Sequence, residues 1–330
     1  MTAPPSQNTE QDARLERARG WVNDTTGIGD TSCKAIAGDA SHRRYFRLSR
    51  GERSWVLMDA PPGKEDIEPF VKVAARLLNA GVRVPRVLQQ DRSLGFLLLE
   101  DLGDTLLRDV LTDSNVEDWV QKVCTLLDAL ASEVEPAGLP SYDRARLVKE
   151  MELFPRWYLS RHRDINWDDE GADAWESTTT ELVSSALEQP RCFVHRDFHS
   201  CNLMVLDEGS LGVIDFQDAV HGPLTYDLVS MIWDRYIAWP REQVENWMDS
   251  FRERVSPETD PVQWRRWCDL MGLQRNFKIV GIFARLHYRD GKDGYLDMIP
   301  QFWGYLQDVL PRYPEFSGLH DWLARHPCAP

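Results

Sequence analysis

A polar stretch between apolar runs restricts the fold of this chain more than any other part of its sequence. The run Cys192–Val194 leads into HRDFHSCN, and two short apolar runs, 202–206 and 211–214, follow on either side of a turn that contains Gly209. Short apolar runs joined by such a turn are typical of a β-hairpin. The polar stretch therefore lies where a strand passes into a hairpin, and side chains in such loops are often available for chemistry.

The sequence before this point begins with a different pattern. The runs Ala35–Ala37, Tyr45–Leu48 and Trp55–Met58 are short, apolar or alternating, and separated by turn residues, which predicts an antiparallel meander. Apolar residues between Lys64 and Ala80 recur with a period near 3.6 and predict one helix. The run Gly95–Leu99 is too short for a helix and predicts a buried strand. Together these segments indicate a small antiparallel sheet with a helix.

Beyond residue 104 the apolar period becomes helical, with predicted helices in the segments 116–130, 147–159 and 178–187. A chain of 330 residues exceeds what one compact core usually serves. The sequence therefore predicts an α+β protein of two lobes. Residues 1–104 would form a first lobe that ends in a hinge, and residues 105–330 a second, mainly helical lobe.

The charge and the cysteines exclude several classes of protein. Lys and Arg number 38 against 53 Asp and Glu, which gives a formal charge of −15. Such a charge repels polyphosphate backbones, so we expect no nucleic-acid partner. The 6 cysteines are scattered without CxxC pairs, which favours reduced thiols over a disulfide framework or a zinc site. No obligate protein partner is indicated.

The chain lacks the sequence signals of a membrane protein. Its first twenty residues contain no apolar core of a signal peptide, and no apolar run approaches the roughly 18 to 20 residues that span a bilayer. We therefore expect a cytoplasmic protein without a membrane partner.

The polar stretch matches the kinase catalytic loop H-R-D-L-x-x-x-N, with Phe198 in place of Leu, and the hairpin after it ends in Asp215 and Phe216. Phosphoryl transfer needs a carboxylate that receives the proton of the acceptor hydroxyl, and oxygen ligands for Mg²⁺. Asp197 fits the first role, whereas Asn202 and Asp215 fit the second. His195 is expected to brace the loop through a hydrogen bond.

Two segments of the first lobe are candidates for binding the nucleotide. The turn between the first two predicted strands contains Gly38, Ser41 and Arg44, whose backbone N–H groups and side chains could hold phosphates. The predicted hinge contains Glu100 and Leu102, whose backbone groups would face adenine. We therefore expect ATP as the phosphoryl donor, bound with Mg²⁺.

One expected kinase residue is missing. Kinases carry a lysine for the α- and β-phosphates on the strand that corresponds to Trp55–Met58, but Met58 and Asp59 stand at the matching positions. Arg44, Arg47 or Lys64 could replace this lysine, or metal and backbone could hold the phosphates alone.

The motifs together resemble the aminoglycoside phosphotransferase-like kinases, a family with a bilobal, protein-kinase-like fold. The resemblance extends over about residues 38–305 and rests on the strings VHRDFHSCNLM, IDFQDAVHGPLTYDLVSM and GDASHRRYFRL. Within the family, LMDAPPGKED, GFLLLEDLGD and MGLQRNFKIVGIFARLHYRDGKDGYL are most similar to the anomeric amino-sugar kinases of bacterial cell-wall recycling. The resemblance implies phosphorylation of N-acetylmuramate, N-acetylglucosamine or both at C1.

A predicted helix from Gln274 to Lys292 bears on the acceptor. Arg275, Lys278 and Arg289 fall on one side of this helix, in a sector that also contains Arg285 and Lys292. Such a basic stripe suits an anion such as the lactyl carboxylate of N-acetylmuramate, or it is a solvated face paired with acids. Aminoglycosides are cationic and would favour carboxylates instead.

Other residues after the hairpin are candidates for the sugar site. Gln217 and Asp218 could bind sugar hydroxyls or stabilise their turn. Asp227 is expected only as a carboxylate in the first turn of a helix.

Two alternatives remain beside the amino-sugar kinase. The chain could phosphorylate another small molecule with a hydroxyl group, such as an aminoglycoside. It could also be a nucleotide-binding pseudokinase, which the missing lysine favours and the complete catalytic loop opposes.

Overall fold

The structure is a computed structural model that describes residues 7–36, 42–207, 209–235 and 237–330. The chain divides into two compact units. The first consists of Met1–Thr105 with Met204–Asp218, and the second of Leu106–Leu203 with Ala219–Pro330. The sequence-based domain boundary after Asp104 stays a prediction.

A five-stranded antiparallel sheet forms the centre of the first unit, with the strand order β1-β2-β3-β5-β4. The predicted meander, helix and buried strand are all present, and β4 is a strand that the sequence analysis missed. The elements of this part of the chain are α1 (Gln7–Thr26), β1 (Ser32–Ile36), β2 (Arg44–Arg50), β3 (Arg53–Asp59), α2 (Glu68–Asn79), β4 (Val87–Asp91) and β5 (Phe96–Glu100).

Apolar residues on alternate positions of the sheet pack against α1. Ala18 and Val22 of the helix belong to one buried cluster with Phe46, Leu57 and Leu98 of the strands. In α2 the buried residues recur every three or four positions, so that helix also presents one apolar face. Burial of these faces, at about 25 cal/mol per Å² of apolar surface, stabilises the sheet.

The second unit begins as a helical structure. Before the hairpin it contains α3 (Leu107–Val110), α4 (Val116–Ser132), α5 (Arg144–Met151), a π-helical segment (Phe154–His162), α6 (Asp169–Glu188) and β6 (Arg191–Val194). Residues 147–159 were predicted to be helical, and they divide between the end of α5 and the π-helical segment. Pro155 lies at the start of the π-helical segment, where its missing N–H interrupts the α-helical hydrogen bonds.

The predicted hairpin is formed by β7 (Leu203–Val205) and β8 (Leu211–Val213), which pair with each other. Most of it belongs to the first unit. The N–H of Val205 donates to the carbonyl of Thr105, and the N–H of Val213 donates to the carbonyl of Arg83, each at 2.8 Å. These backbone hydrogen bonds connect the hairpin to the residue segments before β4 and after β5.

After the hairpin the chain returns to the second unit. Strand β9 (Val220–Pro223) pairs antiparallel with β6. The 30-residue helix α9 (Pro261–Asp290) is buried along most of its length and packs against several other helices of this unit. The helices of this part are α7 (Tyr226–Ile232), α8 (Arg241–Val255), α9 (Pro261–Asp290), α10 (Ile299–Val309) and α11 (Ser317–Arg325). Within the described residues, no helix is both long and apolar enough to cross a membrane.

The first turn of α7 holds the segment that follows β6. The buried carboxylate of Asp227 accepts hydrogen bonds from the backbone N–H groups of His195, at 2.6 Å, and Arg196, at 3.0 Å. Burial raises the pKa of Asp227 to about 6, although these two hydrogen bonds and the charge of His195 oppose that shift. A residue in a helix thus fixes a loop more than thirty positions earlier.

A tight turn in the first unit requires glycine at position 95. Gly95 has φ +71°, and a Cβ added to it would collide with the carbonyl oxygen of Ala60. We expect Gly95→Ala to lower the free energy of unfolding by roughly 2–4 kcal/mol, because backbone strain and a backbone clash add. Gly51→Ala is the control, since Gly51 has φ +59° with open space around its Cβ and should cost only about 1 kcal/mol. Urea unfolding compares the two, and equal losses would contradict the clash.

The buried Asp227 predicts a pH-dependent stability. Its pKa in the folded state is above the ordinary 3.8, so its favourable contribution is complete below pH 4 and is lost as the pH rises through about 6. The non-titrating Asp227→Asn variant lacks this loss. The stability of wild type relative to Asp227→Asn should therefore fall by roughly 2 kcal/mol between pH 4 and pH 7.5. Urea unfolding at both pH values measures it; Asp113→Asn, at an exposed carboxyl, should show no such change.

Candidate functional site

The loop after β6 carries the predicted catalytic motif in a constrained conformation. Arg196 has φ +78°, which is uncommon for a residue other than glycine. Asp227 binds the N–H group of this strained residue and that of the residue before it, His195. The ring Nδ1 of His195 accepts a hydrogen bond from the N–H of Asp197 at 3.3 Å, so His195 braces the loop as expected. These contacts point to a backbone held in place for a function.

Asp197 is exposed to solvent, and the cations Lys278 and Arg196 lie close enough to act on its carboxylate. Loss of hydration raises the pKa of its carboxyl, but the positive charges of Lys278 and Arg196 outweigh this effect and lower the pKa below its ordinary value. The carboxylate is therefore ionised at neutral pH and can accept a proton or a hydrogen bond from a bound hydroxyl.

A buried cluster around Glu150 of α5 fixes the cations near Asp197. The carboxylate of Glu150 pairs with the guanidinium of Arg196 and, at 3.1 Å, with Nζ of Lys278. It also accepts a hydrogen bond from the hydroxyl of Tyr142. Burial raises the pKa of Glu150, but these two cations lower it overall. Lys278 also donates to the hydroxyl of Tyr226 at 3.1 Å, which restricts its side chain further.

Asn202 lies at the end of the loop, beside His199. Its amide nitrogen donates to the backbone carbonyl of Asp197 at 2.9 Å, and the same nitrogen lies 3.4 Å from Nε2 of His199. Burial and the charge of Arg235 lower the pKa of His199 to about 4, so its ring is neutral at pH 7. These contacts use the amide nitrogen of Asn202, and the predicted role of this residue as a metal ligand stays a prediction.

A second arginine near the loop is Arg275, which lies close to Asp197 and Asp234. Arg275 of α9 is 5% exposed and donates from Nη1 to the carbonyl of Trp233 at 3.3 Å. Burial lowers the pKa of Arg275, and the nearby carboxylates of Asp197 and Asp234 oppose this change. Asp234 accepts a hydrogen bond from the N–H of Ser200 at 2.9 Å, which anchors this side of the loop.

In the first unit, the predicted metal ligand Asp215 follows the hairpin. Its backbone has φ +63°, and its Oδ1 accepts a hydrogen bond from Nε2 of Gln217 at 2.8 Å. The Asp218 carboxylate is exposed and lies 3.9 Å from the guanidinium of Arg43. The structure therefore brings Asp215, Gln217 and Asp218 together in one turn, and their predicted roles stay predictions.

Of the turn residues predicted to bind phosphates, the structure describes only Arg44. Gly38 and Ser41 lie outside the described residues. The guanidinium of Arg44 pairs with the fully buried carboxylate of Asp59, which also binds Arg14. Met58 and Asp59 stand where the kinase lysine is expected, so one of these two positions is a carboxylate that holds two arginines. Arg47 is bound to two aspartates of the predicted hinge, Asp101 and Asp104.

The predicted hinge residue Glu100 is the last residue of β5, and Leu102 lies two positions after it. Two hydrogen bonds from Arg83, at 2.6 and 2.7 Å, lower the pKa of Glu100 to about 2, with a further contribution from Arg86. The side chain of Leu102 packs close to Gly212 of β8. Their side chains thus have structural contacts, while the proposed contact of their backbone with adenine stays a prediction.

The basic stripe on α9 separates into residues with different surroundings. Lys278 is buried in the Glu150 cluster, and Arg275 is buried near Asp197. The side chain of Arg289 is 55% exposed and pairs with Asp290 at 2.7 Å. The structure therefore gathers two of the three predicted substrate residues beside the loop and leaves the third at the surface.

Glu150 and Asp234 were not predicted as residues of the site, and Asp227 was not predicted to anchor the loop. Asp227 had a partial signal as a carboxylate in the first turn of a helix, but its contact with a loop more than thirty residues earlier could not be read from the sequence. Glu150 had none, since only the packing of α5 against α9 brings it to the loop.

Comparison with solved structures shows the fold. Choline kinase LicA from Streptococcus pneumoniae superposes with a TM-score of 0.65 at 12% identity, covering 89% of this chain and 99% of that chain. An ADP-bound aminoglycoside phosphotransferase, APH(2'')-Ib, superposes with a TM-score of 0.61 at 16% identity, covering 88% and 96%. The predicted α+β, kinase-like fold is thereby confirmed.

Sequence comparison is more specific. The N-acetylmuramate/N-acetylglucosamine kinase of Pseudomonas aeruginosa is 43% identical over 334 residues, which cover 96% of this chain and 98% of the relative. The profile of the phosphotransferase enzyme family, APH, matches residues 32–267, a span that includes the whole loop around Asp197 and the hairpin after it. This chain therefore belongs to the APH phosphotransferase enzyme family.

Proposed function

We propose that this protein transfers the γ-phosphoryl group of ATP to the anomeric hydroxyl of N-acetylmuramate and N-acetylglucosamine, as a step of peptidoglycan recycling. The observation that carries the proposal is the ionised, accessible carboxylate of Asp197 on a loop that Asp227 and Asn202 hold in place. The similarity to the Pseudomonas aeruginosa kinase along almost the entire chain supports the choice of acceptor. The ADP-bound relative supports a nucleotide donor.

In the proposed reaction, Asp197 accepts a hydrogen bond from the acceptor hydroxyl and orients its oxygen. That oxygen attacks the γ-phosphorus of ATP, the bond from phosphorus to the bridging oxygen breaks, and ADP leaves. The hydroxyl proton passes to Asp197. The neighbouring cations Lys278 and Arg196 are paired with Glu150, so they keep Asp197 ionised while their own positions are fixed.

Two side chains would offer Mg²⁺ the oxygen ligands that it prefers. Asn202 directs its amide nitrogen to the Asp197 carbonyl, which leaves an amide oxygen for a cation. Asp215 contributes a carboxylate, and Mg²⁺ favours such oxygen ligands. When bound, Mg²⁺ would neutralise charge on the nucleotide phosphates.

Arg44 is the residue that we propose in place of the missing kinase lysine. Its guanidinium is held by Asp59 at the β3 position where kinases carry that lysine, and an arginine can bind phosphate oxygens through several N–H groups. Glu100 and Leu102 would border the adenine through their backbone groups.

An aminoglycoside acceptor is less compatible with the site. Arg275 is a buried cation near Asp197, and a polycationic acceptor would be repelled by it. A pseudokinase is supported by the absence of lysine from β3. The two alternatives and the proposal differ in which acceptor, if any, is phosphorylated.

The product of the reaction tests the proposal directly. We expect the purified protein, incubated with ATP, Mg²⁺ and either sugar, to form a sugar phosphate whose ³¹P signal is coupled to the anomeric proton. Omission of Mg²⁺ should abolish the product. ATP binding without product from either sugar would reject the proposed function, and a wider screen of acceptors would then separate another kinase from a pseudokinase.

Replacement of Asp197 tests its role as the base. We expect Asp197→Asn to lower kcat by about 100- to 10,000-fold, because an amide cannot accept the proton. Binding of ADP, measured by titration calorimetry, should change little. The control is Asp293→Asn, which removes a carboxylate with a side chain 92% exposed and should leave kcat unchanged. Normal turnover by Asp197→Asn would exclude this carboxylate as the base.

A further inference from the structure

Arg275 differs from the other cations around the loop. Arg196 and Lys278 both pair with Glu150, whereas no carboxylate among the described residues lies within 4.0 Å of the Arg275 guanidinium. Its one hydrogen bond in the described part of the chain goes to a neutral carbonyl, that of Trp233. A buried charge is costly unless it is paired. Arg275 thus has the capacity to bind an anion that the chain itself does not supply.

Two further polar groups of the same loop lack hydrogen-bond partners among the described residues. Nε2 of His199 faces the amide nitrogen of Asn202, which can only donate, so the ring hydrogen belongs on Nδ1. Within the described structure, this Nδ1 and the hydroxyl of Ser200 are both buried without a hydrogen-bond partner. Buried polar atoms of native proteins are normally paired, so their condition points to a missing ligand or water.

These groups lie near Asp197, the proposed base. His199 and Ser200 stand two and three positions after Asp197 in the loop, and Arg275 is close enough to Asp197 and His199 to interact with both electrostatically. The site therefore combines a carboxylate for the anomeric hydroxyl with an unpaired guanidinium near it. Of the two proposed acceptors, N-acetylmuramate carries a carboxylate on its lactyl group, and N-acetylglucosamine is neutral.

We propose that Arg275 is a specificity-determining residue that binds the lactyl carboxylate of N-acetylmuramate, with help from the donors of His199 and Ser200. This inference rests on the proposed function and makes the anionic sugar the preferred acceptor. Two other residues of the basic stripe do not share this role, because Lys278 is paired with Glu150 and Arg289 with Asp290.

The proposal is tested by comparing three acceptors with the wild type and with one variant of Arg275. kcat/KM is measured for N-acetylmuramate, its neutral methyl ester and N-acetylglucosamine, with wild type and Arg275→Gln. We expect wild type to use the ester roughly 10- to 100-fold less well than the acid, the range for a hydrogen bond to a charged group. Arg275→Gln should lose a similar factor on the acid alone and no longer distinguish acid from ester.

Matched variants separate the charge of Arg275 from other effects. Arg312→Gln removes an exposed arginine from the same unit, whose ion pair in the described part of the chain is with Asp308, and should leave all three values unchanged. Arg275→Lys keeps the charge and should retain part of the preference for the acid. If Arg275→Gln does not fold, Arg275→Lys takes its place: an unchanged ratio of acid to ester in that variant would exclude Arg275 as the group that binds the carboxylate.

The outcomes that overturn the proposal are specific. Equal use of acid and ester by wild type would show that the carboxylate is not bound. An equal loss by Arg275→Gln on all three acceptors would assign Arg275 to the phosphates or to the structure of the loop. Absence of turnover by wild type on every acceptor would instead reject the proposed function itself.

Discussion

The ion pairs of Glu150 are the interaction on which the candidate site depends. One buried carboxylate binds Arg196 of the loop and Lys278 of α9, and it accepts a hydrogen bond from Tyr142 as well. Two cations would otherwise be buried without partners, at a cost of several kcal/mol each. Because Glu150 fixes both cations, their charges act on Asp197 from constant positions. The carboxylate of Asp197 therefore stays ionised, and among the described residues it forms no ion pair that would block a substrate.

The local features of the fold were accessible from the sequence, because they depend on short-range patterns. The strands β1, β2, β3 and β5, the helix α2 and the hairpin all follow from periodicity and turn residues. The limits of α9 were harder. The prediction began at Gln274, whereas the helix begins at Pro261, after Asp260 caps the N–H groups of Val262 and Gln263. That capping signal was present in the sequence, and the prediction overlooked it.

The chemistry of the site was only partly predictable, since a motif specifies residue types and the fold specifies their neighbours. The motif identified Asp197, Asn202 and Asp215 as candidates. It could not show that Lys278 meets Glu150 while Arg275 meets no carboxylate among the described residues, although both lie on the same predicted stripe. A helical projection gives the direction of a side chain, and the partner comes from another element, here α5, more than a hundred residues away in the chain.

The hairpin β7–β8 has a consequence for how the protein is made. Its strands belong mostly to the first unit, where they bond to the carbonyls of Arg83 and Thr105, but they are synthesised after almost a hundred residues of the second. The ribosome must therefore complete 218 of the 330 residues before the first unit has all its parts. Although domains often fold in sequence during translation, these two units are interleaved along the chain, so neither can be finished independently of the synthesis of the other.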